Sequence, residues 1–265
     1  MKSIPQELVE RLASVRSIGV ITGAGISAES GIPTYRGAGG LYDDPEEGQR
    51  AIEALSGETL LKDPDRTWKV LRDIARHAQG AEPNPGHLAL AEWEDRAERF
   101  ALLTQNVDGL HHQAGSRNVI EIHGNIKRVN CLRCSYQEAL PAKALLNLEC
   151  APKCPDCQGV LRPKAVLFGE MLPEEALRRL EEEFHRHVPD LLLLVGTTAL
   201  FPYIAFPAQI ARAAGSLVVE VNPEDTDVTY LAEFALRGTA GALLPPLLAA
   251  FGGVAQEKGQ AQGPK

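Results

Sequence analysis

The chain has 265 residues, 44% of them hydrophobic and 23% charged, with a formal net charge of −8. That length suits one large domain, or one carrying a smaller module, and that balance excludes a mainly disordered chain. The negative charge argues against a broad nucleic-acid footprint, which needs a basic face, and suits a positively charged partner such as a lysine-rich protein segment.

No apolar run approaches the ~20 residues that span a bilayer. The longest, Leu191 to Val195, is the length of a buried strand. Met1 to Arg16 carries Glu7, Glu10, Arg11 and Arg16 and so lacks a signal-peptide core, whereas Leu8, Leu12 and Val15 share one helical face. The expected location is the cytoplasm, where five cysteines point to metal binding or catalysis rather than to disulfides.

In chain order, Ser17 to Thr22 reads as a strand that ends in a glycine-rich turn. Phe100 to Thr104, Val119 to Ile122, Ala165 to Phe168, Leu191 to Val195 and Leu217 to Val221 read as further strands. Short, nearly continuous apolar runs suit a parallel sheet buried on both faces. Helical patterns lie between them at Pro173 to Phe184, Ile204 to Ala214 and Leu243 to Phe251. The alternation predicts an α/β fold, a Rossmann-like doubly wound parallel sheet. Two segments interrupt it: Gly37 to Ala81 is mostly helical in pattern, and Cys131 to Arg162 is rich in cysteine, proline and polar residues. The expected organisation is a Rossmann-like domain from 1–36, 82–128 and 163–252, a small domain from a helical module (37–81) and a cysteine module (129–162), and a flexible tail (253–265).

The cysteines follow the pattern Cys131-x2-Cys134, nineteen residues, Cys154-x2-Cys157. Each pair can aim two thiolates at one centre, and four thiolates in a tetrahedron suit a structural zinc ion with no open coordination site. Neither pair opens a helix after a strand, as a thioredoxin-type redox pair would. Cys150 is left over as a bystander or free thiol.

Gly23-Ala24-Gly25 follows the first strand directly, and Gly31 comes six residues later. Such glycines let a backbone approach a pyrophosphate beside a helix N-terminus, but they also serve as plain turns. The strict dinucleotide spacing is not met, and no acidic residue follows at the usual distance, so a hydride-transfer dehydrogenase fits poorly.

Read together, these segments resemble the sirtuins. Gly23-Ala-Gly-Ile-Ser-Ala-Glu-Ser-Gly-Ile-Pro-Thr-Tyr-Arg36 is similar to their opening signature, Thr104-Gln-Asn-Val-Asp-Gly-Leu-His111 to their second, and Glu121-Ile-His-Gly124 to their catalytic-histidine segment. The two cysteine pairs follow at the family's spacing. Pro163 through Phe168-Gly-Glu-Met-Leu-Pro173 resembles the peptide-binding strand, and Gly196-Thr-Thr198 and Val221-Asn-Pro-Glu224 resemble the later cofactor loops. The match runs in order from about Ser17 to Leu248.

The resemblance implies a cleft that takes NAD as a consumed co-substrate together with an acyl-lysine protein or peptide. The acyl oxygen would meet the 1′ carbon of the nicotinamide ribose as nicotinamide leaves, a reaction governed by positioning. It implies cofactor contacts from Gly23, Ala24, Gly25 and Glu29, and from Thr34, Tyr35 and Arg36 on a loop over the pocket. Gln105, Asn106, Val107 and Asp108 would line the ribose and nicotinamide pocket, with Asn106 also in the catalytic set. Gly196, Thr197, Thr198, Asn222, Pro223 and Glu224 would contact phosphates and the adenosine ribose, and Ala240 the adenine. His123 would be the base that deprotonates a ribose hydroxyl, so that the 2′ oxygen attacks the acyl carbon. Water would then release lysine and 2′-O-acyl-ADP-ribose. Val166, Leu167, Phe168, Gly169 and Glu170 would bind the substrate backbone by strand addition. A lone histidine at a strand end is ordinarily structural, and His111 and His112 are read that way.

The chain departs from the family pattern at Thr34 and Tyr35, where members usually carry Asp and Phe. Thr34 followed by Arg36-Gly-Ala-Gly-Gly40 resembles the branch that removes succinyl and malonyl groups. That branch reads the acyl carboxylate with a Tyr and an Arg three residues apart on a small-domain helix. Aligned from Asp63-Pro64 without a gap, those positions are Leu71 and Ile74, so the expected preference is for neutral acyl groups. Arg72 or Arg76 could substitute if the register slips. The alternative activity is protein ADP-ribosylation on the same scaffold. A non-catalytic zinc-dependent interaction module would instead predict a basic face.

Overall fold

The computed structural model describes residues 4–34 and 44–251. The sequence expectations for Tyr35, Arg36, the start of the helical module (37–43) and the tail (253–265) lie outside the described residues.

The elements in chain order begin with α1 (Gln6–Leu12), β1 (Ser17–Thr22), a 3-10 helix (Ala24–Ser30), α2 (Pro45–Ala54), α3 (Gly57–Lys62), α4 (Pro64–His77) and α5 (Pro85–Arg96). There follow β2 (Arg99–Thr104), α6 (Leu110–Gln113), β3 (Val119–Glu121), β4 (Gly124–Cys131), β5 (Gln137–Ala139), α7 (Ala142–Leu146) and β6 (Leu161–Ala165). The last group is α8 (Glu174–Leu180), β7 (Leu191–Val195), α9 (Pro202–Ala213), β8 (Leu217–Val221), β9 (Phe234–Leu236) and α10 (Ala240–Ala250). α8 runs on into a π-helical turn, Glu181–Arg186.

Six strands form one parallel sheet in the order β3-β2-β1-β7-β8-β9. Every residue of β7 and β8 is buried, as continuous aliphatic runs require when helices cover both faces. One face packs on α1, α5 and α10 through Leu8, Leu90, Trp93 and Leu244, and the other on α8 and α9 through Leu180, Phe184, Ile204 and Ala208. Each such leucine, isoleucine or phenylalanine side chain, fully buried, contributes about 1.5–3 kcal/mol. Strand order reverses between β1 and β7. That places a crevice at the C-terminal ends of these two strands, where open α/β sheets bind ligands.

A second, antiparallel sheet has the order β5-β4-β6. It shares an apolar cluster with α3 and α4: Leu60, Trp68 and Leu71 pack with Val129, Leu161 and Leu167, and Trp68 donates its indole N–H to the Leu161 carbonyl at 2.9 Å.

Two sequence readings differ from the structure. The strand expected at Ala165 to Phe168 in the parallel sheet is β6, shifted to Leu161–Ala165 and paired antiparallel with β4. Its burial alternates, with Arg162 and Lys164 turned outward, the pattern of a sheet packed on one face only. The apolar run after it is a crossing segment in which Leu167 is buried in the apolar cluster with Leu60 and Trp68 while Phe168 is exposed. β9 has three residues and α5 begins at a capped Asn84-Pro85 turn; neither was assigned from the sequence. Among the described residues no helix is long and apolar enough to cross a membrane.

Candidate active site

The crevice between β1 and β7 is built from backbone in close contact. The Gly23 amide donates to the Val195 carbonyl at 3.1 Å, and the Gly25 amide to the Gly196 carbonyl at 2.9 Å. A Cβ on Gly23 would lie 2.8 Å from the Gly196 carbonyl oxygen, and Gly196 itself adopts φ +57°. These contacts admit only glycine and leave the first turn after β1 bare. Within the 3-10 helix, Glu29 turns away from this turn. Its carboxylate accepts from the Thr239 hydroxyl at 2.9 Å and the Gly241 amide at 2.6 Å, at the start of α10. Ala240 is buried there against Gly86. Thr34 is partly buried.

The Gln105 to Asp108 segment leaves β2 and crosses beneath the glycine turn. Asn106, only 5% exposed, donates through Nδ2 to the Gly23 carbonyl (3.1 Å) and to Ser27 Oγ (3.2 Å). Ser27 in turn donates to Asp108 Oδ2 at 2.8 Å, and the other Asp108 oxygen accepts from the Leu110 amide. Gln105 Nε2 donates to Thr197 Oγ1 at 2.7 Å, which ties the segment to the turn after β7. The Val107 carbonyl accepts from the Ile126 amide at 3.2 Å. Around Thr197 lie Asn222, whose Nδ2 donates to the Thr197 carbonyl (3.3 Å), and the exposed Thr198, Pro223 and Glu224. The structure therefore gathers the glycine turn, Gln105 to Asp108, Gly196 to Thr198 and Asn222 around the one strand-order reversal.

His123 follows β3 directly, where the chain passes from one sheet to the other. Its Nδ1 lies 3.0 Å from the Gln105 backbone carbonyl. A carbonyl only accepts, so Nδ1 carries the proton and Nε2 holds the basic lone pair. Burial holds the imidazole below its ordinary pKa, and the Gln105 carbonyl pulls weakly the other way. Nε2 faces the Tyr203 hydroxyl at 2.8 Å. His123 also meets the rings of Phe201 and Tyr203 edge-on, with centroids at 5.9 and 6.0 Å.

The Val166 to Glu170 segment runs past His123, whose carbonyl accepts from the Val166 amide at 2.8 Å. Phe168 bonds outward to the helical module, its amide to the Leu55 carbonyl and its carbonyl to the Gly57 amide. The Leu167 amide donates to the Glu170 carboxylate, which also receives a two-pronged contact from Arg162 at 2.7 and 2.8 Å. Gly169 supplies the φ of +82° that turns the segment back. The Leu167 amide is thus engaged within the chain.

Comparison with known proteins decides the family. Residues 23–201 match the model of the Sir2 family. The NAD-dependent protein deacylase 2 of Pseudomonas aeruginosa is 43% identical over 244 residues, covering 91% of this chain and 94% of that protein. The NAD-dependent protein deacylase of Thermococcus kodakarensis is 44% identical over 242 residues, covering 89% of this chain and 91% of that protein. A solved Sir2 homolog–NAD complex superposes with a TM-score of 0.81 at 36% identity, covering 94% of each chain. A Sir2 protein bound to a myristoylated histone peptide superposes with a TM-score of 0.75 at 30% identity, covering 92% of this chain and 94% of that one. The chain belongs to the Sir2 family.

In this Sir2-family chain the four paired cysteines converge. Cys131 Sγ lies 3.4 Å from Cys157 Sγ, Cys134 Sγ 3.6 Å from Cys154 Sγ, and all four sulfurs fall within 4.8 Å of one another. Four thiolates at ~2.3 Å from one zinc ion stand about 3.8 Å apart, so the cluster fits tetrahedral zinc. It closes the loops beyond β4 and β6. Being fully thiolate, it offers no position for substrate, so its role is structural. Cys150 is exposed and outside the cluster.

Three residues in contact with Asn106, Asp108 or His123 were not singled out from the sequence. Ser27 lies inside the opening signature and joins Asn106 to Asp108. Phe201 and Tyr203 sit at the start of α9, in an apolar run that reads as ordinary core. Nothing local to that run signals contact with a histidine 80 residues away.

Proposed function

We propose that this Sir2-family chain is an NAD-dependent protein-lysine deacylase that consumes NAD and yields nicotinamide, free lysine and 2′-O-acyl-ADP-ribose. One observation carries this reading. The imidazole of His123 is fixed by the carbonyl of Gln105, and the next residues, Asn106 and Asp108, are tied through Ser27 and Gly23 to the glycine turn. A neutral base is thus bonded to the same short segment that floors the dinucleotide crevice.

In the proposed reaction Gly23 and Gly25 offer bare backbone to the pyrophosphate. Asn106 and Asp108 bind the nicotinamide ribose and its carboxamide, held in place beforehand by their existing hydrogen bonds. Such positioning is the main lever for a weak acyl-oxygen nucleophile meeting a cation-like sugar carbon. His123 Nε2 then takes a proton from a ribose hydroxyl as the 2′ oxygen attacks the acyl carbon, and returns it to the departing lysine nitrogen; water adds to the acyl carbon and frees the 1′ oxygen, which leaves 2′-O-acyl-ADP-ribose. Zinc holds the small sheet and takes no part in these steps.

The preferred acyl group is neutral, acetyl or longer. Leu71 is buried in α4 and Ile74 packs beside it. Of the two arginines nearby, Arg72 donates to the Leu148 carbonyl and Arg76 pairs with Asp73 at 3.0 Å. An acyl carboxylate meeting these apolar side chains would lack a cation. The substrates are proteins or peptides carrying acyl-lysine.

The test is incubation with NAD and an acetyl-lysine peptide, scored by nicotinamide release and by mass spectrometry of the products. Release that depends on peptide and vanishes in His123→Ala, with 2′-O-acetyl-ADP-ribose formed, supports the reading. ADP-ribose attached to protein, with lysine still acetylated, points instead to ADP-ribosyltransfer.

A further inference from the structure

Tyr203 enters the site from α9, an element that carries none of the site residues expected from the sequence. Its hydroxyl lies 2.8 Å from His123 Nε2. Because Nδ1–H is committed to the Gln105 carbonyl, Nε2 accepts and the tyrosine hydroxyl donates. The tyrosine is itself held. Its ring stacks on Phe201 at 5.3 Å with planes 10° apart, and both rings meet His123 edge-on. Burial keeps the phenol protonated by raising its pKa.

The lone pair that Tyr203 occupies is the one the proposed reaction needs. One lone pair on Nε2 accepts one strong hydrogen bond, so a ribose hydroxyl and the Tyr203 hydroxyl compete for it. The charged groups on neighbouring segments have other partners. Asp108 accepts from Ser27 and Leu110, Glu121 from Asn125 Nδ2 at 2.6 Å, and Glu170 is engaged by Arg162. Lys127, on β4, is drawn to Asp108 and Glu121. Tyr203 is thus the titratable side chain in direct contact with the basic nitrogen.

We infer that Tyr203 is a positioning residue that holds the lone pair of His123 Nε2 in the free enzyme and yields it to the cofactor's ribose hydroxyl. The hydroxyl keeps the ring oriented and its base uncharged while the site is empty. The contact itself stands apart from the deacylase reading, on which the yielding to a ribose hydroxyl and the kinetic arm rest.

The variant is Tyr203→Phe, which keeps the ring stack and removes the donor. In the free protein, loss of a hydrogen bond to the neutral imidazole raises the His123 pKa by about 0.5 to 1 unit, read by 15N NMR titration with His123→Gln to assign the signal. In turnover, the acid limb of kcat/KM for NAD, which reports the free enzyme, moves up by the same amount, while the limb of kcat stays in place. An unmoved NMR titration overturns the inference, whether or not the protein proves to be a deacylase. So does a kcat loss of a hundredfold or more in Tyr203→Phe, which would make the hydroxyl a participant in the chemistry. If no turnover is found in the unaltered enzyme, the deacylase reading fails and the NMR titration alone decides the contact.

Discussion

Gly25 and Gly196 touch through their backbones: a Cβ on Gly25 would lie 2.7 Å from the Cα of Gly196. The contact joins the turn after β1 to the turn after β7, so the depth of the dinucleotide crevice is set where no side chain fits. Gly25→Ala must push the two turns apart, at a cost of about 1–3 kcal/mol in stability. A displacement near 1 Å in a site that works by positioning lowers turnover by about a hundredfold. Calorimetric NAD affinity and kcat/KM equal to the parent protein's would contradict this.

The pH dependence follows from the burial of His123. The base works as neutral imidazole, and burial lowers its pKa from the ordinary ~6.5. The rate is therefore full above that pKa and falls only as pH drops through it, so the acid limb of kcat/KM lies below 6.5. His123→Ala lowers kcat by about 10² to 10⁴ and abolishes that limb. A limb at or above 7, or one that survives the substitution, would assign the base elsewhere.

Acid should also loosen the fold. His87 and His111 are buried with ring centroids 4.9 Å apart. Burial brings His87 down to about 4, against the pull of Asp108 and Glu29, and holds His111 well below its ordinary value. A depressed histidine binds protons more readily when unfolded. Its contribution is thus intact above the unfolded pKa of ~6.5 and lost as pH falls toward 4, at about 1.4 kcal/mol per unit. Urea unfolding at pH 5 should show about 2 kcal/mol less stability than at pH 6.5 from His87 alone, and His87→Asn should flatten that slope. Equal stability at the two pH values would contradict it.

Removing zinc should dismantle the small sheet. Native mass spectrometry should find one zinc ion per chain, and Cys154→Ser or a strong chelator should abolish turnover. Several kcal/mol of binding energy are lost with the metal, and each kcal/mol lowers the melting temperature by about 2–4 °C in a chain this size. A chelated protein that melts unchanged would show that the cysteines hold no metal.

Acyl preference can be read directly. Acetyl-lysine peptide should be processed at least tenfold faster than succinyl-lysine peptide at equal concentration, since a carboxylate left unpaired costs more than the ~1.4 kcal/mol that tenfold represents. Introducing Leu71→Tyr with Ile74→Arg should narrow or reverse the ratio. Faster succinyl removal by the unaltered enzyme would refute the assignment of α4.

The strands that read most clearly are those whose surroundings leave no choice. Leu191–Val195 is apolar throughout and Leu217–Val221 apolar but for the buried, hydrogen-bonded Glu220, because helices cover both faces, and their ends coincide with the expected ones. The cysteine pairs were equally plain, because metal geometry imposes their spacing. β6 misled because its strand carries Arg162, Pro163 and Lys164, while the apolar Val166 to Phe168 beyond it belongs to neither sheet and pairs only through a single bridge from Phe168 to Ser56. α5 is announced by Asn84 capping, with His87 rather than an acidic or amide side chain closing the box. Asn106 and His123 could be named from motif, but their partners, Ser27 and Tyr203, come from other segments. Such pairings exist only once the sheet is wound.

Gly124, with φ +73° and a hydrogen where any Cβ would lie 2.1 Å from the Lys164 carbonyl, is where the chain turns from the parallel sheet into the zinc-bearing one. The return crossing, at Val166, is pinned to the carbonyl of His123. Both passages of the chain across this seam thus meet at the backbone of His123, like the two leaves of a door meeting at its pin. Any shift of one sheet against the other is taken up on either side of this seam, and the proposed proton acceptor stands on it.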